Sequence, residues 1–300
     1  MKILYIAVHY YDNDTNWRSE GDIDLAFNQN NIETIKLDYR TIISDSSLED
    51  LKKSIYEKSL NVDLIFLQRG NNLKPDLFNN IKVPIIFWST EPINLKNDVD
   101  PLLNSNIFSW VFVHTYSCMD RVKRDFPHLE NKSSVIHNAI SEDKINIDLS
   151  KKNNFAVFNR HLSLRRRWWL WPSRNYIKVI KGNFGDVYFQ DLLKSIVSIN
   201  IHFSSKNLDD FETGIFEAMA SGCVVLSEKL DPKTIKDLDM NDSIIQVNSK
   251  KELKKKIKYL KDNPKVIENF QEKSSVAIQK NTWSHRVKIF KNKFKELLLK

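Results

Sequence analysis

Apolar residues in this chain gather in short unbroken runs, set apart by stretches of mixed polarity. In the first half the runs are KILYIAV (2–8), ETIKLDY (33–39), VDLIFLQ (62–68), VPIIFWS (83–89), SWVFVHT (109–115) and SSVIHNAI (133–140). Each has strand length. Between them, Gly21–Asn30, Leu48–Ser59, Pro75–Asn80 and Met119–Phe126 read as helices. Strands that are apolar throughout, rather than at alternate positions, are covered on both faces. That pattern, alternating with helices, predicts an α/β fold with a doubly wound parallel sheet.

The segment SEDKINIDLSKKN (141–153) is polar and without period, and predicts a domain linker. The alternation then restarts with FAVFNR (155–160), a helix through the Arg/Trp segment, and YIKVI (176–180). A helix over Tyr188–Ser198, INIHFS (199–204), a helix over Gly214–Ser221, CVVLSE (223–228) and SIIQV (243–247) follow. The tail from Lys250 is helical, breaks near Asn263–Pro264, and resumes to Lys300. The expected division is 1–145, 146–282, and a C-terminal helix 283–300.

A length of 300 residues suits two domains of about 150. None of the apolar runs approaches the ~20 residues that span a bilayer, and the opening run is too short for a secretory leader. A cytoplasmic location is the expectation. Cys118 and Cys223 make no metal or redox spacing and read as core thiols. Charge changes the picture more. Residues 1–150 carry 16 Lys+Arg against 22 Asp+Glu, residues 151–300 carry 30 against 16, and the last fifty alone carry 15 against 5. The second half therefore faces something anionic, or its Lys-rich helix is a solvated face.

The chemistry concentrates in DDFETGIFEAMASGCVVLSE (209–228). A strand runs into a polar loop, a helix opens, and Gly222 closes it before the next strand. A helix start at the carboxyl end of a parallel strand offers unpaired N–H groups and a positive dipole end, which suit a diphosphate. Glu217, in about the first turn, is placed to accept two hydrogen bonds from ribose hydroxyls.

This segment resembles the donor-site motif of the group 1 glycosyltransferase superfamily, E-x7-E followed by AMA-x-G-x-P-V. The likeness is carried by Phe211 and Glu217-Ala218-Met219-Ala220-Ser221-Gly222. A closer likeness is to the short spore-maturation-protein (CgeB-like) branch, whose core reads FEAxAxG. MKILYIA, VPIIFWSTEP, KKELKKKIKYLKDNP and NTWSHRVKIF resemble its other regions, so the likeness spans most of the chain. It implies a GT-B fold: two Rossmann-like domains facing across a cleft, with the C-terminal helix returning to the N-terminal domain. It also implies a nucleotide-sugar donor and no bound metal or other cofactor. Three positions depart from the motif. Asp209 stands for the first Glu, Glu212 for the Gly after Phe211, and Val224 for the Pro. Asp209 or Glu212 is then the acid expected to hold the donor sugar.

In the superfamily the loop after the first strand of the second domain supplies cations for the diphosphate. Here that loop holds Arg160, with one of Arg165, Arg166 and Arg167 expected to join it. Thr213, Gly214 and Ile215 open the motif helix beside the phosphates. Phe184 and Tyr188 are candidate stackers on the base. In the first domain Glu91 and His114 end strands and are acceptor-side candidates, Glu91 as a base or positioning group. A lone histidine so placed also fits a structural hydrogen-bonding role. His9, Asp12 and Asp14 follow the first strand and are expected to touch acceptor. No histidine pair has metal-ligand spacing.

The expected reaction is transfer of a hexose-type sugar from a nucleoside diphosphate to an acceptor hydroxyl, with a lean towards retention at the anomeric carbon. The acceptor classes are a glycan, a lipid-linked molecule, a protein or DNA. RRRWWLWPSR (165–174) interleaves cations and aromatics; its tryptophans fit packing inside a helix, stacking on nucleic-acid bases, or a peripheral membrane contact. A nucleic-acid-directed protein and a non-catalytic nucleotide-binding subunit are the alternatives. The sequence carries no signal of oligomeric state.

Overall fold

A computed structural model describes residues 1–9, 19–90, 92–181, 185–204 and 211–299. The chain forms two compact units, one of Met1–His137 with Trp283–Lys300 and the other of Asn138–Thr282.

In unit 1, among the described residues, six parallel strands pair in the order β2-β1-β3-β4-β5-β6. They are β1 (Lys2–Ala7), β2 (Glu33–Asp38), β3 (Leu64–Gln68), β4 (Ile85–Ser89), β5 (Trp110–Val113) and β6 (Ser133–Val135). Helices α1 (Ser19–Gln29), α2 (Tyr39–Asp45), α3 (Leu48–Ser59), α4 (Asp100–Leu103) and α5 (Tyr116–Asp125) connect them. Side chains alternate across a strand. Leu4, Ile6, Ile65, Leu67, Phe87, Val111 and Val113 therefore pack in one layer with Leu51 and Ile55 of α3 and Val122 of α5. The intervening Tyr5, Phe66, Trp88 and Phe112 form the other layer, with Phe27 of α1.

Unit 2, among the described residues, holds five parallel strands in the order β11-β10-β9-β7-β8. These are β7 (Asn154–Phe158), β8 (Lys178–Val179), β9 (Ser195–Asn200), β10 (Val224–Glu228) and β11 (Ile244–Val247). Its helices are α6 (Leu164–Leu170), α7 (Gly185–Leu193), α8 (Thr213–Ala220), α9 (Pro232–Asp237), α10 (Lys250–Asp262) and α11 (Pro264–Gln279). One layer joins Val157 and Val225 to Ile215, Phe216 and Met219 of α8. The other joins Phe158, Ile199 and Leu226 to Leu253, Ile257 and Leu260 of α10.

The last helix, α12 (Trp283–Leu298), belongs to unit 1. Its buried residues Trp283, Val287, Phe290 and Phe294 fall on one stripe. Phe290 lies 5.1 Å from Phe66, 5.6 Å from Trp88 and 5.0 Å from Phe112, ring centre to ring centre. Residues 283–300 carry six basic residues and one acidic one, so unit 1 has 21 Lys+Arg against 20 Asp+Glu and unit 2 has 25 against 18. The contrast drawn at residue 150 is much reduced.

Three expectations are corrected. The boundary lies at 137/138, not in 141–153. That segment is polar because it bonds into unit 2: Asn146 N–H donates to Ala220 O (2.9 Å), and the Lys152 ammonium donates to the carbonyls of Leu192, Ser195 and Ser221. Second, the helix expected over Tyr188–Ser198 ends at Leu193 and β9 already starts at Ser195, where no Gly or Pro marks the change. Third, the tail breaks twice, the second time between Gln279 and Trp283.

Candidate nucleotide-sugar site

In unit 2 the chain enters the sheet at β7, steps to β8 on one side, and then places β9 on the other. The connections after β7 and β9 thus diverge, and open α/β sheets bind ligands at such a point, outside the carboxyl ends of the strands. The residues that gather there come from three junctions: Arg160 after β7, Tyr188 in α7 after β8, and the start of α8 after β9.

Arg160 lies against the first turn of α8. A Cβ on Gly214 would sit 2.5 Å from the Arg160 Cζ, so only glycine leaves room for the guanidinium there. The Arg160 Nη1 donates to Glu212 Oε2 (2.6 Å), and Arg166 Nη2 donates to both oxygens of the same carboxylate (2.8 and 3.0 Å). The Arg160 side chain is 9% exposed, and its Nε is buried without a partner among the described residues, as is Asn159 Nδ2 beside it. Burial opposes the charge on Glu212, but the two arginines outweigh it and hold its pKa below the ordinary value. Burial likewise opposes the charge of Arg160; Glu212, Tyr188 and Glu217 outweigh it and raise its pKa.

Glu217 is the fifth residue of α8, and so in its second turn rather than its first. Tyr188 Oη donates to Glu217 Oε2 (2.8 Å). Burial raises the Glu217 pKa, against the opposing pull of the Tyr188 hydrogen bond and of Arg160.

Arg160, Tyr188, Glu212, Gly214 and Glu217 therefore meet, with Thr213 exposed at the helix start. Other expectations need correction. Ile215 is a core residue at 0% exposure, and its N–H already donates to Glu212 O (2.9 Å). Arg165 is drawn away: it forks onto Glu228 at the end of β10 and donates to His202 O (2.7 Å). Arg166 is the triplet member that joins Arg160, but as a buried brace that also donates to Ile201 O and His161 O. Tyr188 meets Glu217 through its hydroxyl. Phe184 and Asp209 lie outside the described residues.

In unit 1, His114 is buried at the end of β5, with its Nδ1 donating to Ser89 O (3.2 Å), and His9 is buried with its Nε2 on Tyr5 O (3.1 Å). Glu91, Asp12 and Asp14 lie outside the described residues. The sequence reading overlooked a polar cluster at the divergence between β1 and β3. There Arg69 pairs with buried Glu20, and Tyr5 donates to Gln68, itself bonded to Ser19. The signal available was Arg-Gly after β3: Arg69 and Gly70 both have positive φ (70° and 73°), a turn that re-aims the chain at the strand end.

Cys118 and Cys223 are buried free thiols, and burial pushes Cys223 up to about 11 despite Lys152 beside it. Among the described residues no group of three His, Cys, Asp or Glu is arranged for a metal ion, and no helix is long and apolar enough to cross a membrane.

Residues 168–292, less than half of the chain, match the family model described as glycosyl transferase-like. No curated protein matches the sequence. Among solved structures, HepE of Anabaena in complex with UDP and glucose is 14% identical over 98% of this chain and 99% of that one, with a TM-score of 0.65. A glycosyltransferase from Rickettsia africae is 14% identical over 99% and 98%, with a TM-score of 0.63. An α-glucosyltransferase in complex with UDP and a DNA 13-mer containing an HMU base is 11% identical over the full length of both chains, with a TM-score of 0.67. At such identities these likenesses speak for the fold, and the chain has the α/β fold of these GT-B structures, with two parallel-sheet Rossmann-like units.

Proposed function

We propose that the protein is a glycosyltransferase that moves a sugar from a nucleoside diphosphate to an acceptor hydroxyl. The observation that carries this is the meeting of Arg160, the glycine-opened start of α8 and Glu217 at the divergence of β7 and β9. The Glu212 carboxylate occupies part of the Arg160 fork and stands where an anion is wanted. A diphosphate would bond the remaining Arg160 Nε–H and the N–H groups of Thr213 and Gly214 at the start of α8. The N-cap residue Glu212 leaves those groups uncapped by its own side chain. Glu217 takes ribose hydroxyls, sharing its carboxylate with the Tyr188 hydroxyl.

In this reading the protein works by positioning and by stabilising the departing diphosphate, with Arg160 and the helix dipole carrying the charge and no resident metal required. Glu212 or Asp209 holds the donor sugar, and Glu91 or His114 of unit 1 serves the acceptor. The spore-maturation-like motif core supports placement in that short branch, and the superfamily resemblance supports retention and a cytoplasmic site of action. UDP in the HepE and α-glucosyltransferase structures makes UDP-sugars the first donors to try.

A second acceptor reading, DNA, gains support because unit 1 is not acidic once α12 is counted with it. A steep fall of acceptor binding with salt would mark it.

The test is a panel of UDP-, GDP-, TDP- and CDP-sugars. One should raise the melting temperature, by an amount equivalent to about 2.7 kcal/mol at a hundredfold excess over its Kd, and be turned over to free nucleoside diphosphate. Stabilisation without turnover in the presence of any acceptor class would favour a nucleotide-binding subunit. No stabilisation by any of them would overturn the proposal.

A further inference from the structure

The Arg/Trp segment divides cleanly between two faces. Arg166, Trp169, Leu170 and Ser173 are buried. Leu164, Trp168 and Trp171 are 83%, 58% and 66% exposed, and their spacing of four and three residues puts them on one stripe of α6 and the turn that follows it. Three large apolar side chains in line on a solvent face form an exposed apolar patch.

Basic residues border the stripe. Arg167, Arg174 and Lys178 are exposed around it. Helix α10 runs alongside, with seven lysines against Glu252 and Asp262. The Lys250 ammonium lies 3.6 Å from the centre of the Trp168 ring, and Lys258 lies 5.6 Å from that of Tyr176. Lys250, Lys254 and Lys258, four residues apart, thus form a row of cations beside the apolar row. Arg174 covers Trp171 at 4.2 Å.

We propose that this face of unit 2 docks on an anionic phospholipid bilayer, with Leu164, Trp168 and Trp171 entering the interface and the lysine row meeting lipid phosphates. The composition is that of an interfacial surface: Trp and Leu on one side, Lys and Arg flanking, and no spanning helix. Single-stranded nucleic acid is the competing occupant, since cations and aromatics also bind bases. Two features favour lipid. Leu164, the most exposed of the three, has no ring on which a base could stack. One face of each indole carries Lys250 or Arg174, and at 58% and 66% exposure each still has much of its surface in solvent to enter an interface. The inference rests on this surface alone and stands or falls apart from the sugar-transfer reading.

The test is co-sedimentation of the full chain with vesicles of phosphatidylcholine, and of phosphatidylcholine mixed with phosphatidylglycerol. Binding is expected to the mixed vesicles and to fall with salt. Lys254→Gln with Lys258→Gln should weaken it about 25-fold, at about fivefold per cation lost near a charged surface. Trp168→Ala with Trp171→Ala should weaken it at least about tenfold. Trp168→Phe with Trp171→Phe should largely retain it. All three pairs alter side chains outside the buried core, so their melting curves should match that of the parent chain. Brominated lipid should quench tryptophan emission in the parent chain and much less in the double Phe variant. Absence of binding to the mixed vesicles, or binding that the Trp→Ala pair leaves unchanged, overturns the proposal. So does capture of a single-stranded DNA oligonucleotide under conditions where no vesicle is bound.

Discussion

At the scale of single residues, Glu217 separates a working site from a mere structural motif. Its carboxylate is held by Tyr188 Oη at 2.8 Å and is not part of the apolar core. Glu217→Gln keeps the size and loses the charge. Charge-assisted hydrogen bonds are worth about 1.5–3 kcal/mol, so nucleoside-diphosphate affinity should fall about ten- to a hundredfold, with little change in the melting curve. Glu217→Ala should lose more. Unchanged affinity in a folded Ala variant would reduce the motif to packing. Proton linkage gives a second prediction. Burial raises the Glu217 pKa. In the proposed site the donor needs the ionised form, so affinity should decline on acidification, beginning at a pH above that at which an ordinary glutamate titrates. The sign for stability is opposite: a carboxyl with a raised pKa contributes stability below its unfolded value, lost as pH rises through the folded one. A binding profile whose acid limb persists unchanged in Glu217→Gln would assign that limb to another group, such as the ligand phosphate. The placement of Glu217 and Gly214 was legible in the sequence because a local pattern, a strand end followed by a glycine-opened helix, sets it. Glu212 was legible as a donor-sugar candidate, but its ion pairs were not. Its partners Arg160 and Arg166 lie 52 and 46 residues away, and only the folded sheet brings them together.

At the scale of elements, the strands were legible because parallel strands covered on both faces read as continuous apolar runs. β1, β3, β4 and β10 are buried almost throughout. What the pattern could not supply was the point at which one apolar element gives way to another. At Leu193–Ser195 the helix passes to β9 through a single lysine, and periodicity alone does not resolve such a junction. α12 illustrates the opposite case. Its apolar spacing is plain, but the sheet it covers is separated from it in sequence by the whole of unit 2. Phe290 touches Phe66, Trp88 and Phe112, one ring on each of three adjacent strands. Phe290→Ala should therefore destabilise unit 1 by about 3–5 kcal/mol, a large share of the 5–15 kcal/mol typical of a folded domain. Urea unfolding followed through Trp88 and Trp110 fluorescence checks this. Nucleoside-diphosphate binding by unit 2 should survive in the variant at low denaturant, and its loss in step with unit 1 unfolding would show that the two units do not hold their structure separately.

At the scale of the whole molecule, unit 2 is one continuous stretch of chain and unit 1 is assembled from the two segments that flank it in sequence. That connectivity explains why a charge count split at residue 150 misleads. The six basic residues of 283–300 belong with unit 1, which leaves it near neutral and leaves unit 2 with the excess. Within unit 2 the excess is further divided. Arg160, Arg165 and Arg166 are bound to Glu212 and Glu228, while Arg167, Arg174 and the α10 lysines border the Leu-Trp-Trp stripe. The basic residues of unit 2 thus lie in two separate places, an inner one at the strand ends and an outer one on the surface.

The proposed transfer requires unit 2 to bind a sugar nucleotide by its diphosphate at Arg160 and the start of α8. Calorimetric titration of the parent chain and of Arg160→Ala, each with a nucleoside diphosphate and with the matching nucleoside, tests it most directly. Loss of the guanidinium should weaken diphosphate binding by about ten- to a hundredfold, at about 1.5–3 kcal/mol for the charge-assisted bonds lost, and leave nucleoside binding nearly unchanged. Equal losses for the two ligands in a folded variant, or no loss for either, would contradict it.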